Sequence, residues 1–384
     1  MQKIRLSPEW QVILVLAFAK LAVHFFTNTN YGLHRDAFLY LALGDHLDFG
    51  YVAVPPLIAM IAKLTLMIFG DSVFAVRLFP ALIGAASVVV IGMIVRMLGG
   101  KMWAILLACT AFIVSPAFLR SNTLFQPVSF NQFFWLLAMY FAIKLVHTKN
   151  PKFWLHLGIV CGLAFLNKYS IAFLVLALLI ALLLTPDRKL LQSKYFLYAL
   201  LTGFIIILPN LIWQYNHNWP VVTHMLTLQR TQLVNVNIAD FLVAQMLMNL
   251  PGLFVWMFGL AYLLFFEQGK KFRFLAYTFV VLLLILLLLR GKPYYTLGIY
   301  TSLFAVGGYA IERYFSKKWQ LVKPVFLAFM IAIVLPVLPY SLPLLRHEKM
   351  IVYAEQSKDF GFEGALRWED GRIHALPQDY ADMI

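Results

Sequence analysis

Long apolar runs follow one another along almost the whole of this chain. A run of that kind closes all its backbone hydrogen bonds within one helix, the structure a single segment can adopt inside hydrocarbon. Eleven spans are read: Gln11–Phe26, Val73–Val95, Met102–Leu119, Val128–Val146, Phe153–Leu166, Ile171–Leu184, Phe196–Trp213, Phe241–Phe266, Phe272–Leu289, Tyr294–Ile311 and Leu321–Leu342. The 384 residues are 62% hydrophobic and 12% charged, with mean hydropathy +0.80. Soluble domains are roughly 45–50% apolar and about 25% charged. The expectation is an all-α polytopic membrane protein, not a string of soluble domains.

The net charge of +14 does not point to nucleic acid. Lys and Arg stand in short clusters between the apolar runs, as in cytoplasmic loops. With the N-terminus inside, Lys3 and Arg5 are cytoplasmic. So are Arg96 and Lys101; Lys149 and Lys152; Arg188, Lys189 and Lys194; Lys270, Lys271 and Arg273; and Arg313, Lys317 and Lys318. Asp36, Asp45, Asp48, Asp71 and Asp240 then fall outside. The two cysteines lie inside apolar runs with no metal-spaced neighbour, so neither a disulfide nor a metal site is expected.

The first outer loop, residues 28–72, is long but not hydrophilic. "DAFLYLALGDHLDFG" reads as a helix along the interface, ended by Gly50, and "VPPLIAMIAKLTLMIFGDS" as a second juxtamembrane helix. The polar, aromatic-rich stretch from Gln214 to Asp240 suits another interfacial platform. Residues 1–342 are taken as the membrane unit and 343–384 as an extracytoplasmic tail of soluble composition, its form short or truncated.

An ionisable group costs about 2.5–3.5 kcal/mol at a helix centre by insertion scales, so each one near a span is weighed. Asp36 in "YGLHRDAFLY" has two readings that stay open: a helix N-cap compensated by Arg35 and His34, or a general base at the membrane surface. Lys168 in "FLNKYS" is either a snorkelling lysine or, with Asn167, Tyr169 and Ser170 crowded into the same turn, part of an anion site. "RGKPYY" repeats the pattern with Arg290, Lys292, Tyr294 and Tyr295. Two basic turns on the face usually poor in cations point to a phosphate held there. Lys20 and His24, four residues apart on one face, read as a bundle-interior pair. "LPNLIWQYNHNWP" offers Asn210, Gln214, His217 and Trp219, with aromatic-belt placement the plainer reading for the tryptophans. No HExxH, P-loop, GxGxxG or CxxC motif appears.

From "YGLHRDAFLYLALGDHLDFGYVAVPPLIAM" through "LNKYSIAFL", "LLTPDRKLL", "PNLIWQYNHNWP" and "GKPYYTLGIYTSLFAVGGYAIER", the chain resembles membrane glycosyltransferases of the protein O-mannosyltransferase-like superfamily, of GT-C fold. Lipid A aminoarabinose transferases and lipopolysaccharide galacturonosyltransferases are among them. The resemblance implies an active site at the outer surface of a bacterial inner membrane. There a sugar would pass with inversion from a polyprenyl-phosphate carrier to an envelope glycan, lipid or protein, with membrane lipids around it and no nucleic acid involved. It implies Asp36 as catalytic and Lys168 and the "GKPYY" turn, with Lys292, Tyr294 and Tyr295, as donor-phosphate contacts; His34, Arg35, Asn131, Tyr169, Trp219 and Arg290 are read beside them as further substrate-binding candidates.

Three departures accompany the resemblance. Ala37 follows Asp36 where many relatives carry a second acid. Ala53 and Val54 precede Pro55-Pro56 where relatives often carry an acid, His or Lys. Gln126 and Asn131 stand where an Asp is usual at the outer end of the fourth span. No cofactor is certain and no metal ligand is assigned; a divalent metal stays open, although its usual ligand position is lost at Ala53-Val54. Two other readings remain open: a transporter or flippase of an anionic lipid-linked substrate, and a non-catalytic relative serving as a membrane partner protein.

Overall fold

The computed structural model describes residues 6–315, 320–368 and 371–383. Lys3, Arg5, Lys317 and Lys318 lie outside them. Helices dominate: among the described residues the sole β pairing is an isolated bridge between Arg367 and Ile373.

In chain order the helices begin with α1 (Pro8–Thr27), α2 (Arg35–Asp45), α3 (Leu57–Phe69), α4 (Val73–Met97), α5 (Met102–Val114), α6 (Pro116–Ser121) and α7 (Pro127–Thr148). Next come α8 (Phe153–Asn167), α9 (Ile171–Leu183), α10 (Lys194–Asn216), α11 (Pro220–Thr231), α12 (Ile238–Leu247), α13 (Leu253–Phe265) and α14 (Arg273–Leu288). The last are α15 (Leu297–Tyr314), α16 (Val322–Val334), α17 (Leu338–Ser341), α18 (His347–Lys358) and α19 (Gln378–Ala381). Proline opens several of them, including α1, α6, α7 and α11, where its fixed φ suits the first turn and its missing N–H costs nothing.

By length and composition six of these segments can cross a membrane, or up to eight if two bent pairs each count as one span. Three of the runs read as continuous are broken. The run Met102–Leu119 parts at Ser115-Pro116 into α5 and α6. The run Phe241–Phe266 bends by 74° at Met248-Asn249, between α12 and the turn Leu250–Gly252, where Pro251 lacks the N–H that would carry the helix through. The run Leu321–Leu342 passes through a 3₁₀ turn at Leu335–Val337, which contains Pro336.

The core lies in the bundle. Helix α15 is buried at nearly every position, with Ile299, Tyr300, Leu303, Phe304 and Ala305 fully enclosed. Small residues allow this closeness: a Cβ on Gly307 would stand 1.9 Å from the Val255 carbonyl oxygen. Lys20 and His24 are both buried inside the bundle, as expected for an interior pair. Nζ of Lys20 donates to the Phe118 carbonyl at 3.3 Å and lies 5.2 Å from the centre of the Phe112 ring.

A cap covers one end of the bundle. Its first layer is α2 and α3, the two helices expected in the first outer loop; α2 stops at Asp45, short of Gly50. Segment 343–383 packs onto the same end. Met350, Ala354, Leu366, Leu376, Tyr380 and Met383 share one apolar cluster with Leu124 and Tyr340. Arg77 of α4, 1% exposed, ties the layers together. Its guanidinium donates to the carbonyls of Asn28 and Asn30, at 2.9 and 2.8 Å, and to that of Gly32, and lies 3.3 Å from Met383 Sδ. The Gly32 N–H donates to the Met383 carbonyl at 2.9 Å.

Candidate active site

The cap and the bundle enclose a cavity of about 950 Å³. Its wall carries His34, Arg35, Asp36, Lys168, Tyr169, Trp219, Lys292, Tyr294 and Tyr295, residues drawn from distant parts of the sequence.

One part of this wall is rich in carboxylates. Asp36 sits in the first turn of α2, but it is not the cap. His34 is: its Nδ1 accepts the Asp36 backbone N–H at 3.1 Å, filling one of the donors a helix start leaves open. The Asp36 side chain is thereby released for other work. Its Oδ2 accepts from Gln126 Nε2 at 3.0 Å, and its Oδ1 lies 3.8 Å from Arg35 Nε.

Two acids from the far end of the sequence close on the same residues. Asp379 Oδ1 lies 3.6 Å from His34 Nε2, while Asp379 Oδ2 accepts from Arg120 Nε at 2.7 Å. Asp382 Oδ2 stands 3.4 Å from both His34 Nε2 and Arg35 Nε. Both acids line the cavity. Burial pushes the Asp379 carboxyl up, but Arg120 and His34 outweigh it and hold it well below the usual carboxylate range. The Asp382 carboxyl is raised by burial, with Arg35 and His34 pulling against it.

The cationic part is built on the turn between α8 and α9. Lys168 projects toward two aromatic rings, its Nζ 4.8 Å from the centre of Tyr295 and 5.2 Å from that of Tyr294. The rings meet edge to face, 4.8 Å apart. Among the described residues no acid forms an ion pair with Lys168. Burial lowers its ammonium to about 8, with repulsion from Lys292 adding to the shift. Lys168 and Lys292, with the rings of Tyr294 and Tyr295 beside them, make a place for an anion.

Helix α10 supplies the remaining wall. Tyr169 donates its hydroxyl proton to Asn210 Oδ1 at 3.1 Å and accepts from Gln214 Nε2 at 3.2 Å. Asn210 Nδ2 donates to the Phe49 carbonyl at 2.8 Å, and Trp213 Nε1 to Asp48 Oδ2 at 2.6 Å, so α10 pins the loop between α2 and α3. Trp219 takes a left-handed backbone, φ 54°, as it leads into α11.

Two expected residues do not reach the cavity wall. Arg290 has a left-handed backbone, φ 51°, and its guanidinium donates to the Val234 carbonyl at 3.3 Å. Asn131 is buried behind the wall, where its Oδ1 accepts from Ser170 Oγ at 3.4 Å. Conversely, sequence reasoning gave no role to Arg120, Asp379 or Asp382. The last two stand three apart in "PQDYAD", on one helical face, but nothing local shows what that face meets.

Ala53 and Val54 line the cavity without offering a metal donor. Among the described residues, no group of three or more His, Cys, Asp or Glu side chains is arranged to hold a metal ion.

A polytopic helical bundle with a capped cavity, carboxylates in one part and lysines in another, is an arrangement also met in membrane glycosyltransferase folds. Residues 53–213 match the family model described as dolichyl-phosphate-mannose-protein mannosyltransferase. The fold is similar to ArnT of Cupriavidus metallidurans, solved bound to undecaprenyl phosphate: TM-score 0.70, 16% identity, covering 89% of this chain and 67% of that one. Against the apo form the TM-score is 0.67 with 15% identity, covering 97% and 74%. A lipid A galacturonosyltransferase, RgtD, of Rhizobium johnstonii is 26% identical over 247 residues, which are 62% of this chain and 51% of that protein. The match thus spans about half the length of that curated relative. The chain is thus similar in fold and in part of its sequence to the protein O-mannosyltransferase-like proteins of GT-C fold that its motif order resembles.

Proposed function

We propose that this protein transfers a sugar, with inversion, from a polyprenyl-phosphate carrier to an envelope glycolipid or other envelope acceptor. The observation that carries this reading is the single cavity that brings Asp36 together with Lys168, Lys292, Tyr294 and Tyr295. A carboxylate able to take a proton and a cationic cradle able to hold a phosphate are the two requirements of such a transfer. The similarity to a lipid A galacturonosyltransferase and to an ArnT solved with undecaprenyl phosphate supports the same substrates here.

In this reading the acceptor hydroxyl gives its proton to the Asp36 carboxylate. Its oxygen bonds to the anomeric carbon from the face opposite the phosphate. The bond from that carbon to the phosphate oxygen breaks, and polyprenyl phosphate leaves with the electron pair. Lys168 and Lys292 stabilise the charge collecting on the phosphate. Tyr294 and Tyr295 donate hydrogen bonds to it. Arg290, off the wall, has no part in the step.

The arrangement in the membrane belongs to the same proposal. Eleven spans with a cytoplasmic N-terminus put the cavity on the extracytoplasmic side of a bacterial inner membrane. Residues 343–384 then form an extracytoplasmic addition to the membrane unit 1–342.

The test is an assay of purified protein with labelled polyprenyl-phosphate sugars and membrane acceptors. Asp36→Asn should cost 10²–10⁴-fold in turnover while undecaprenyl phosphate still binds. Unchanged turnover in that variant would sink the assignment. Lipid movement without product would indicate a transporter, and neither activity a partner protein.

A further inference from the structure

Asp36 is held by residues beyond its own loop. His34 Nδ1 is committed to the Asp36 backbone N–H. With that nitrogen accepting, the neutral ring carries its proton on Nε2. Nε2 faces two carboxylates, Asp379 at 3.6 Å and Asp382 at 3.4 Å. Arg35 Nε is likewise shared, 3.4 Å from Asp382 Oδ2 and 3.8 Å from Asp36 Oδ1. Asp379 is itself anchored by Arg120.

We infer that Asp379 and Asp382 are positioning residues for Asp36, acting through His34 and Arg35. The inference rests on the transferase reading above. The physical reason is orientation. A helix-cap histidine free to rotate would release the first turn of α2, and Arg35 freed from Asp382 could fold onto Asp36 and mask it. The two acids hold both groups off the attacking face. They compensate for Ala37, which supplies no second carboxylate beside Asp36. Asp382 can change without undocking the segment, because Arg120 holds Asp379, Arg77 and Gly32 hold Met383, and Tyr31 packs edge to face on Tyr380. A shift of about 1 Å in a reacting group can cost on the order of 10²-fold in rate.

The experiment uses the full chain in lipid nanodiscs with labelled polyprenyl-phosphate sugar and membrane acceptor. The variants are Asp382→Asn, Asp379→Asn, Asp382→Glu and Asp36→Asn. For the first two, kcat is expected to fall about 10–100-fold with both KM values within two-fold of wild type, and Asp382→Glu to recover part of the loss. Unchanged kcat in both asparagine variants would overturn the inference. Parallel loss of thermal stability and of undecaprenyl phosphate binding in Asp382→Asn would also overturn it, because that acid would then be scaffold only. So would an active Asp36→Asn beside an inactive Asp382→Asn, which would make Asp382 the base. Absence of product from the wild-type protein refutes the transferase reading instead.

Discussion

Arg120 Nε donates to Asp379 Oδ2 at 2.7 Å, joining positions 259 residues apart in the sequence. The Arg120 guanidinium also covers the Tyr380 ring at 4.0 Å. This pair docks a segment of soluble character onto the membrane bundle beside the carboxylate part of the cavity.

Removing the cation should therefore loosen the cap. Asp379 is more than a third exposed, so the pair falls below the 3–5 kcal/mol lost when one partner of a fully buried pair is removed. Arg120→Met is expected to cost about 2 kcal/mol, seen as a lower unfolding temperature in detergent. Acid should act in the same direction. Because the Asp379 carboxyl is depressed in the fold, its contribution is complete above the unfolded value of about 4 and is lost as pH falls further toward the depressed value. Proteolysis of segment 343–383 should then accelerate below pH of about 4 in the wild type, and much less so in Asp379→Asn.

Lys168 gives the phosphate site its own pH dependence. Its ammonium is held near 8 by burial and then by Lys292. It attracts a phosphate when protonated, so undecaprenyl phosphate affinity should weaken as pH rises through about 8. Lys168→Arg, which stays charged throughout, should flatten that dependence, and Lys168→Ala should weaken binding about ten-fold at pH 7. Equilibrium binding between pH 6 and 9.5 checks all three.

Gly50 marks where the loop between α2 and α3 meets α10. A Cβ there would stand 2.5 Å from Trp213 Cε3 and 2.9 Å from Asn210 Nδ2, and neither ring nor amide has room to yield while bonded to Asp48 and Phe49. Gly50→Ala is expected to destabilise by about 1–3 kcal/mol. Trp213 fluorescence should report the displaced loop.

Lys20 is buried with a carbonyl and a ring for company, and among the described residues no acid pairs with it. An unpaired buried ammonium is a cost that a similar-sized apolar side chain avoids. Lys20→Met should leave transfer within two-fold of wild type and should match or exceed its stability by about 1 kcal/mol. A large loss of turnover would give this lysine a role in the reaction.

Much of the cavity was legible from local signals. Apolar length marks spans without any knowledge of neighbours, and cations on the unfavoured face stand out against the loop charge pattern. Lys168 and Lys292 came from that contrast and Asp36 from the scarcity of ionisable groups near a span, and all three line the cavity. Arg290 belonged to the same pattern yet turns away, because a left-handed backbone at one residue redirects its side chain toward Val234. Composition carries no trace of such a choice. Nor did apolar length reveal that three of the runs are broken, since a run with a proline inside reads as continuous until its backbone is traced.

What the sequence determined by itself is the solvent: a chain this apolar must hide its backbone polar groups in helices, and its charges must sort to the two faces. What tertiary structure decided is the company of Asp36. His34 and Arg35 are chain neighbours, but Gln126, Asp379 and Asp382 arrive from far away. The two aspartates arrive because Arg77 binds the carbonyls of Asn28, Asn30 and Gly32 and the sulfur of Met383 at once, while Arg120 binds Asp379. Convergence of that kind depends on where a buried guanidinium finds its acceptors, which is a property of the assembled cap and not of any stretch of residues within it.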